Sequence, residues 1–486
     1  MDDNAKTEMT VPADRQGKKR LLPVFGVLML VGAYLMPVAS MSYCLYSDGY
    51  FSLRRMIGSA GMVLVFYGVY GVFLYLRCRG VTSTFRRMLF LSLILGVFGA
   101  VIPFAVRVNA CLTPVLIAVL LLALMIDRGA SVFAVLPLAA VSWASVSRIS
   151  GPSAGGAALM LSLIAVSLTA VFALKLRRTR TTVLLSSFIA GAVGAVVYTL
   201  TVMAGGIPLG FLPKNLLWLV GSCLLSGVLT VGSMPVLESI FDIASEERLN
   251  ELLNNDNPLL KRLINEAPGT YHHSLLVASL AESAAEKVSA DPLLVRVAAY
   301  YHDVGKLRSP LCFKENQKTG YNMHDDLDPY ESAKRIIAHQ QDGVTLLEKH
   351  KFPREIISIV GEHHGDSVMV YFYDKARKLA PEGTQPDESL FRYPSHKPST
   401  KESALLMLAD CCEAAVRSMV SPTMDDNREK VREVITHKWD KRDSMLWASP
   451  LTFAEIKLIE ESFIDTFTAL YHERVEYPDL EEIDVR

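Results

Sequence analysis

The chain has 486 residues, 51% of them hydrophobic, with 49 Lys and Arg against 50 Asp and Glu, a formal net charge of −1. That near-neutral total hides two unlike halves: residues 1–237 hold 19 basic and six acidic residues, a balance of +13, and the remainder holds 30 against 44, a balance of −14. An acidic second half argues against a nucleic-acid-binding face, which needs clustered positive charge, so no DNA or RNA polymer is expected as a partner. All eleven histidines also lie there, from His272 onward. Histidine is the commonest metal ligand, so the chemistry is expected in this half. Seven cysteines without a Cys-x-x-Cys spacing support neither a zinc ribbon nor a thioredoxin-type site.

Residues 1–20 read as a polar tail ending in Gln16-Gly17-Lys18-Lys19-Arg20. The apolar run from Leu21 to about Ser40 is long enough to span a bilayer rather than to serve as a signal-peptide core, and further apolar runs follow. Spans are predicted at 21–41, 56–76, 88–106, 110–127, 131–147, 155–174, 182–204 and 215–237, each near the roughly 20 residues that a bilayer requires. Only Asp127-Arg128-Gly129-Ala130 separates the fourth from the fifth, a pair also compatible with a re-entrant hairpin.

Eight spans put both ends on one side. With the N-terminus inside, the inner segments hold thirteen basic residues (Arg15, Lys18, Lys19, Arg20, Arg77, Arg79, Arg86, Arg87, Arg128, Lys175, Arg177, Arg178, Arg180). The outer loops hold five: Arg54, Arg55, Arg107, Arg148 and Lys214. This asymmetry places both termini in the cytoplasm. No ionisable residue lies at mid-span, which favours a packed anchor or sensor over a transporter. Small residues such as Gly191-Ala192-Val193-Gly194-Ala195 suit close helix packing.

Residues 238–267 read as a stiff helical connector, with Leu249, Leu252, Leu253, Leu259, Leu260 and Leu263 on one stripe broken at Asn257-Pro258. From 268 to 486 the pattern is helical, with segments opening at Pro268, Pro292, Pro329, Pro353 and Lys401 and a last amphipathic one over 452–474; 366–400 reads as a loop. These segments carry His273, His302, Asp303, His339, His363, His364 and Asp410, each expected at or near a helix end or turn. Five imidazoles and two carboxylates exceed the needs of one ion once open positions for substrate are allowed. Two ions about 3.5–4 Å apart, sharing one carboxylate, would use them all, activate a water and clamp phosphoryl oxygens. Such mixed donors suit Zn, Fe or Mn better than Ca or Mg.

The order of a His before Ser274, then His302-Asp303, a lone His339, the pair His363-His364 and a late Asp410 resembles the two-metal branch of the HD-domain phosphohydrolases. Glu266 to Ser274, Tyr300 to Lys306, Glu315-Asn316-Gln317, Glu362-His363-His364-Gly365, Phe391-Arg392-Tyr393-Pro394 and His472 to Pro478 are similar to the seven-transmembrane-receptor HD hydrolases of the PgpH type, which hydrolyse cyclic di-AMP. The resemblance is close over about 230–480 and extends to the layout of the membrane region. It implies an all-α chain: a polytopic transmembrane bundle of about eight spans followed by a cytoplasmic all-helical HD domain at 268–486. It also implies a membrane-anchored phosphodiesterase of the inner (plasma) membrane that turns cyclic di-AMP into pApA with two divalent ions, Fe or Mn, with Zn also compatible.

By the same resemblance His273, His302 and Asp410 hold one ion, His339, His363 and His364 hold the other, and Asp303 bridges them. His273 is preferred to His272 because the family's ligand directly precedes the serine. Asp303 and Lys306 are the expected catalytic residues; Lys306 reads equally as a phosphate contact and as a surface lysine. Arg392 and Tyr393 are expected to stack on or hydrogen-bond a base. His324, His350, His396, His437 and His472 have no ligand partner in this pattern. The family's large extracellular domain has no counterpart between the first two spans, where only Met41 to Arg55 intervene. The expected partners are a cyclic dinucleotide and the lipid bilayer, with a homodimer left open. The competing readings are an HD hydrolase of cyclic di-GMP, (p)ppGpp or a nucleoside monophosphate, and a nucleotide-binding receptor without turnover.

Overall fold

A computed structural model describes residues 13–82, 84–150, 154–174, 180–317, 322–381, 383–419, 423–439, 445–447 and 449–470. The chain divides into two compact units, Met1–Glu247 and Arg248–Arg486. Among the described residues both are helical, and the sole β feature is an isolated antiparallel bridge between Val368 and Arg392.

The first unit contains α1 (Ala13–Ser47), α2 (Leu53–Arg77), a single turn α3 (Arg79–Thr82), α4 (Phe85–Val108), α5 (Val115–Met125), α6 (Arg128–Ser150), α7 (Ala154–Ala173), α8 (Arg180–Ala204) and α9 (Leu212–Phe241). Seven of these helices are long and apolar enough to cross a membrane, and the protein is a multi-pass membrane protein. Helix α1 begins at Ala13, so the end of the predicted tail is helical; Lys18, Lys19 and Arg20 are good helix formers ahead of an apolar run. Residues 1–12 and the basic residues Lys175, Arg177 and Arg178 lie outside the described residues.

The predicted span at 110–127 differs most. Its helix α5 has only 11 residues, about 16 Å at 1.5 Å per residue. Turns occupy both ends: Asn109 Oδ1 accepts from the Cys111 amide at 2.8 Å, and Asp127 Oδ1 accepts from the Ala130 amide at 2.7 Å. The segment nevertheless passes from one face of the bundle to the other. At one face Asn109 donates to Asn215, near the start of α9, and Arg107 pairs with Asp48, just past α1. At the other, Cys78 just past α2 donates to Asp127 at 3.6 Å, and Arg86 at the start of α4 pairs with Asp242 just past α9. Phe25 of α1 meets Phe85 edge to face at that second face as well. The start of α1 and the end of α9 therefore share one face of the bundle. All eleven residues of α5 are buried among α4, α6, α7 and α9, which explains an apolar surface all round so short a helix.

Close contacts in this unit rely on missing side chains. A Cβ on Gly194 of α8 would stand 2.3 Å from Val166 of α7, and one on Gly227 of α9 would stand 2.6 Å from the Ser187 hydroxyl of α8. Ser162 of α7 donates to the Gly194 carbonyl at 2.8 Å, a bond available only at that approach.

The second unit contains α10 (Glu246–Leu252, from Arg248 on), α11 (Pro258–Glu266), α12 (Pro268–Lys287), α13 (Pro292–Tyr301), α14 (Pro329–Lys349), α15 (Arg354–Glu362), α16 (Val370–Leu379), α17 (Lys401–Arg417), α18 (Met424–Trp439) and α19 (Phe453–Leu470). The predicted connector is not a free spacer here. Leu259, Leu260 and Leu263 are buried, α11 packs on α12, and Tyr301 donates to the Leu252 carbonyl at 2.6 Å. Helix starts are set locally. Asp291 accepts from Leu294 and Asp328 from Tyr330, each followed by a proline at the first helical position. Thr400 and Ser403 form a capping box on α17.

The region expected to be a loop, 366–400, contains α16 and a 3-10 turn at Glu388–Phe391. Phe372 and Ala376, four apart, bury one face of α16 in a cluster with Ala333 of α14 and Phe391; the Gly and Pro signals lie only beyond it. Helix α12 packs on α13, α17 and α19, while α13, α15 and α17 pack on one another and α14 packs on α15. These helices surround the site.

Candidate metal centre

The seven donors come from five helices: His273 from α12, His302 and Asp303 from the end of α13, His339 from α14, His363 and His364 from the end of α15, and Asp410 from α17. His339 and Asp410 lie inside their helices, not at ends as the sequence suggested. Helix α14 continues to Lys349, and the α13 turn reaches it through Gly305, where a Cβ would stand 1.8 Å from the His339 carbonyl oxygen and 2.5 Å from the Gly343 nitrogen.

The ligand atoms form two groups, each within 4.8 Å: Asp303, His339, His363 and His364 in one, and His273, His302 and Asp410 in the other. The two oxygens of Asp303 face different groups. Oδ1 lies 3.3 Å from His339 Nε2, and Oδ2 lies 3.3 Å from His302 Nε2 and 3.8 Å from His273 Nε2. Asp410 Oδ1 is 3.1 Å from His273 Nε2, and its Oδ2 is 3.8 Å from His364 Nδ1.

The tautomers follow from the backbone. His302, His339 and His363 each donate from Nδ1 to the carbonyl three residues back, on Ala299 at 2.7 Å, Ile336 at 2.5 Å and Val360 at 2.5 Å. Each Nε2 is then a lone pair pointing inward, and all three are buried without a hydrogen-bond partner. Buried polar atoms are normally satisfied, so three convergent orphans fit cations at these positions. His273 is oriented differently: its Nδ1 meets the Glu413 carboxylate at 2.5 Å.

The charges of Asp303, His363 and His364 agree with that reading. Burial alone would raise the Asp303 pKa, but the Lys306 ammonium works against it, and the carboxylate is held well below its usual range. Burial lowers the His363 pKa to about 3, and burial together with His363 and His339 lowers that of His364, so both stay neutral electron-pair donors. For His273 burial pulls downward, and hydrogen bonds to Asp410 and Glu413 reverse it, to about 9.

Lys306 is not a free surface lysine. Its ammonium stands 2.7 Å from Asp303 Oδ2, 2.7 Å from Glu315 Oε1 and 4.8 Å from the centre of the Phe313 ring. Burial disfavours its charge, but Asp303 and Glu315 raise its pKa above the usual lysine value. Tyr393 is buried, its ring 4.3 Å from that of His364 and 6.0 Å from that of His339. The ring thus packs on the ligand histidines. Arg392 is exposed, pairs with Glu388 and donates to the Asp366 carbonyl at 2.9 Å. His272, His350, His396 and His437 are exposed, and His324 is buried, 2.9 Å from the Cys312 carbonyl through Nε2; His472 lies outside the described residues.

Sequence reasoning missed Glu413. Its signal was present: a second carboxylate three residues after Asp410, inside the otherwise apolar run Leu405 to Ala415. It also missed that Glu315 and Asn316 lock the start of α12, with Asn316 donating to Thr270 Oγ1 at 2.8 Å and Thr270 donating to Glu315 at 3.3 Å.

Known proteins resemble this chain in both units. Residues 53–245 match the family model described as 7TM receptor with intracellular HD hydrolase, and residues 270–415 match that of the HD domain. The chain is 39% identical over 315 residues to the cyclic-di-AMP phosphodiesterase PgpH of Listeria monocytogenes, covering 64% of this chain and 43% of that protein. To the Bacillus subtilis protein of the same name it is 44% identical over 254 residues, covering 52% of this chain and 35% of the relative. The chain thus spans less than half the length of these relatives. The crystal structure of the L. monocytogenes PgpH HD domain in complex with cyclic-di-AMP is 42% identical, with a TM-score of 0.42, covering 46% of this chain and all of that one. The chain thus carries a match to the membrane region of the 7TM-receptor HD hydrolases over 53–245, followed by a match to the HD domain over 270–415.

Proposed function

We propose that this protein is a membrane-anchored phosphodiesterase that hydrolyses cyclic di-AMP to linear pApA at a two-cation site on the cytoplasmic side. The observation that supports it best is the pair of donor groups meeting at Asp303, one carboxylate oxygen toward each. In this reading His273, His302 and Asp410 hold one cation, His339, His363 and His364 hold the other, and Asp303 serves both. The imidazole and carboxylate donors suit Fe or Mn, and also Zn. When bound, two such cations supply a water nucleophile at neutral pH and offset charge gathering on the phosphoryl oxygens.

The protein's own groups do the rest. Three imidazoles fixed through Nδ1 keep their lone pairs aimed inward without rearrangement. Lys306 has three donors; Asp303 and Glu315 take two, leaving one for a phosphoryl oxygen beside the bridging carboxylate. Water adds at one phosphorus, one P–O3′ bond breaks, and the departing oxygen takes a proton, which opens the ring. The substrate assignment rests on the two relatives named as cyclic-di-AMP phosphodiesterases. The cytoplasmic placement rests on the basic asymmetry and on the shared face of α1 and the end of α9.

The test is incubation of the purified full chain, loaded with Mn or Fe, with cyclic di-AMP and cyclic di-GMP, the products being resolved by chromatography. Conversion of cyclic di-AMP to pApA is expected. Cleavage of cyclic di-GMP alone overturns the substrate, and binding of either without turnover overturns the activity.

A further inference from the structure

His273 stands apart from the other buried histidines of the site. His302, His339 and His363 are oriented by main-chain carbonyls, which carry no net charge. His273 is oriented by a side chain, the Glu413 carboxylate, 2.5 Å from its Nδ1, while its Nε2 faces Asp410 at 3.1 Å. Glu413 is fully buried, one turn of α17 beyond Asp410. Its second oxygen has no hydrogen bond, and the nearest cation, the Arg417 Nε, stands 3.6 Å away on a half-exposed side chain.

A buried carboxylate with one unsatisfied oxygen is a poor device for stability alone, since its desolvation is only partly offset. Behind an imidazole it has a definite effect. It fixes the tautomer and the ring plane, and it makes the opposite nitrogen a stronger electron-pair donor.

The consequence is an unequal pair of cation positions. The end built from His273, His302 and Asp410 has two carboxylates of its own, Asp410 and Glu413, besides Asp303 Oδ2. The end built from His339, His363 and His364 has three imidazoles and Asp303 Oδ1, with no carboxylate of its own beyond the second oxygen of Asp410, 3.8 Å from His364 Nδ1. Lys306 does not cancel the difference, because Glu315 balances it. We infer that Glu413 is a positioning residue that makes the His273 end the tighter of two cation positions, filled first and retained, while the other end exchanges. This rests on the two-cation reading above.

Manganese titration of the metal-free full chain, followed by calorimetry and by the electron paramagnetic resonance signal of free ion, tests it directly. The wild type is expected to bind two ions in two resolved steps. Glu413→Ala is expected to weaken the tighter step by about 10–100-fold and leave the weaker one in place. Glu413→Gln, nearly isosteric, keeps an oxygen to accept from Nδ1 but loses the charge, so a smaller loss is expected; it also serves if the alanine variant does not fold. Two ions retained at wild-type affinity in both variants overturn the inference, as does loss of the weaker step instead. A wild type that takes up no manganese overturns the two-cation reading itself. A wild type with two equal steps overturns only the inequality.

Discussion

The two units are both helical, yet particular buried polar groups in them are satisfied in different ways. In the membrane unit several buried serines return to their own helix: Ser142 donates to Leu138, Ser145 to Val141, Ser187 to Val183 and Ser226 to Ser222, each four residues back. The ion pairs named there, Arg86 with Asp242, Arg107 with Asp48 and Arg180 with Glu247, lie at or beyond helix ends. In the HD unit some buried polar groups reach across elements instead, as His273 does to Glu413 and Asn316 to Thr270. A group satisfied by its own helix can be deleted without stranding a partner. One satisfied across helices leaves an orphan behind, which is the condition under which burial becomes costly.

The largest expected effect follows from the residue on which both donor groups depend. Asp303→Ala is expected to reduce pApA formation to background and to lose both cations by elemental analysis; full metal content in that variant would end the bridging role. Next comes Lys306→Met, which removes a positive charge beside Asp303 and keeps much of the side-chain volume. Turnover is expected to fall about 10²–10³-fold with two cations still bound. An unchanged turnover number would reduce Lys306 to a structural partner of Glu315.

Glycines sharpen the contrast between the units. Gly305→Ala drives a Cβ into backbone atoms of α14 at 1.8 and 2.5 Å, neither of which can move alone. A loss of about 3 kcal/mol is expected, together with weaker cation retention through the displaced His339. Gly194→Ala in the bundle meets a Val166 methyl at 2.3 Å, which a rotamer change can relieve, so about 1–2 kcal/mol is expected. Denaturation midpoints of the solubilised chain rank the two, and the reverse order would show that the bundle is the more tightly packed unit.

Much of this was legible in the sequence because it depends on short-range signals. Seven of the eight predicted spans have counterparts among the long apolar helices, and Asp or Thr caps and first-turn prolines marked several helix starts. The donors were legible as residue types in an order. What failed had causes beyond local pattern. The shortness of α5 comes from turns at Asn109 and Asp127 whose hydrogen bonds composition does not reveal. Helix α16 was hidden by the Gly and Pro residues that follow it, although Phe372 and Ala376 were spaced to bury one face. His339 was assigned to a helix end because nothing in the sequence around Gly343 shows that Gly305 packs there. Glu413 was missed because its importance comes from a partner 140 residues away.

The smallest effect tests the opening contrast most directly, because it compares two single hydroxyls. Ser142 is fully buried in α6, and its one bond goes to Leu138 of the same helix, whose carbonyl already accepts a helical amide. Ser142→Ala therefore strands nothing, and a change below about 0.6 kcal/mol is expected. Thr270 is equally buried in α12, but its hydroxyl takes a bond from Asn316 at 2.8 Å and gives one to Glu315 at 3.3 Å. Thr270→Val keeps the shape and leaves a buried amide donor and part of the Glu315 carboxylate unsatisfied, for an expected loss of about 1–3 kcal/mol. Since Glu315 also holds Lys306, a modest fall in turnover should accompany that loss, whereas Ser142→Ala should leave turnover unchanged. Equal losses of stability in the two variants would remove the distinction between self-satisfied and cross-satisfied polar groups. A stable Thr270→Val with lowered turnover would assign Thr270 to the support of Lys306 rather than to the fold.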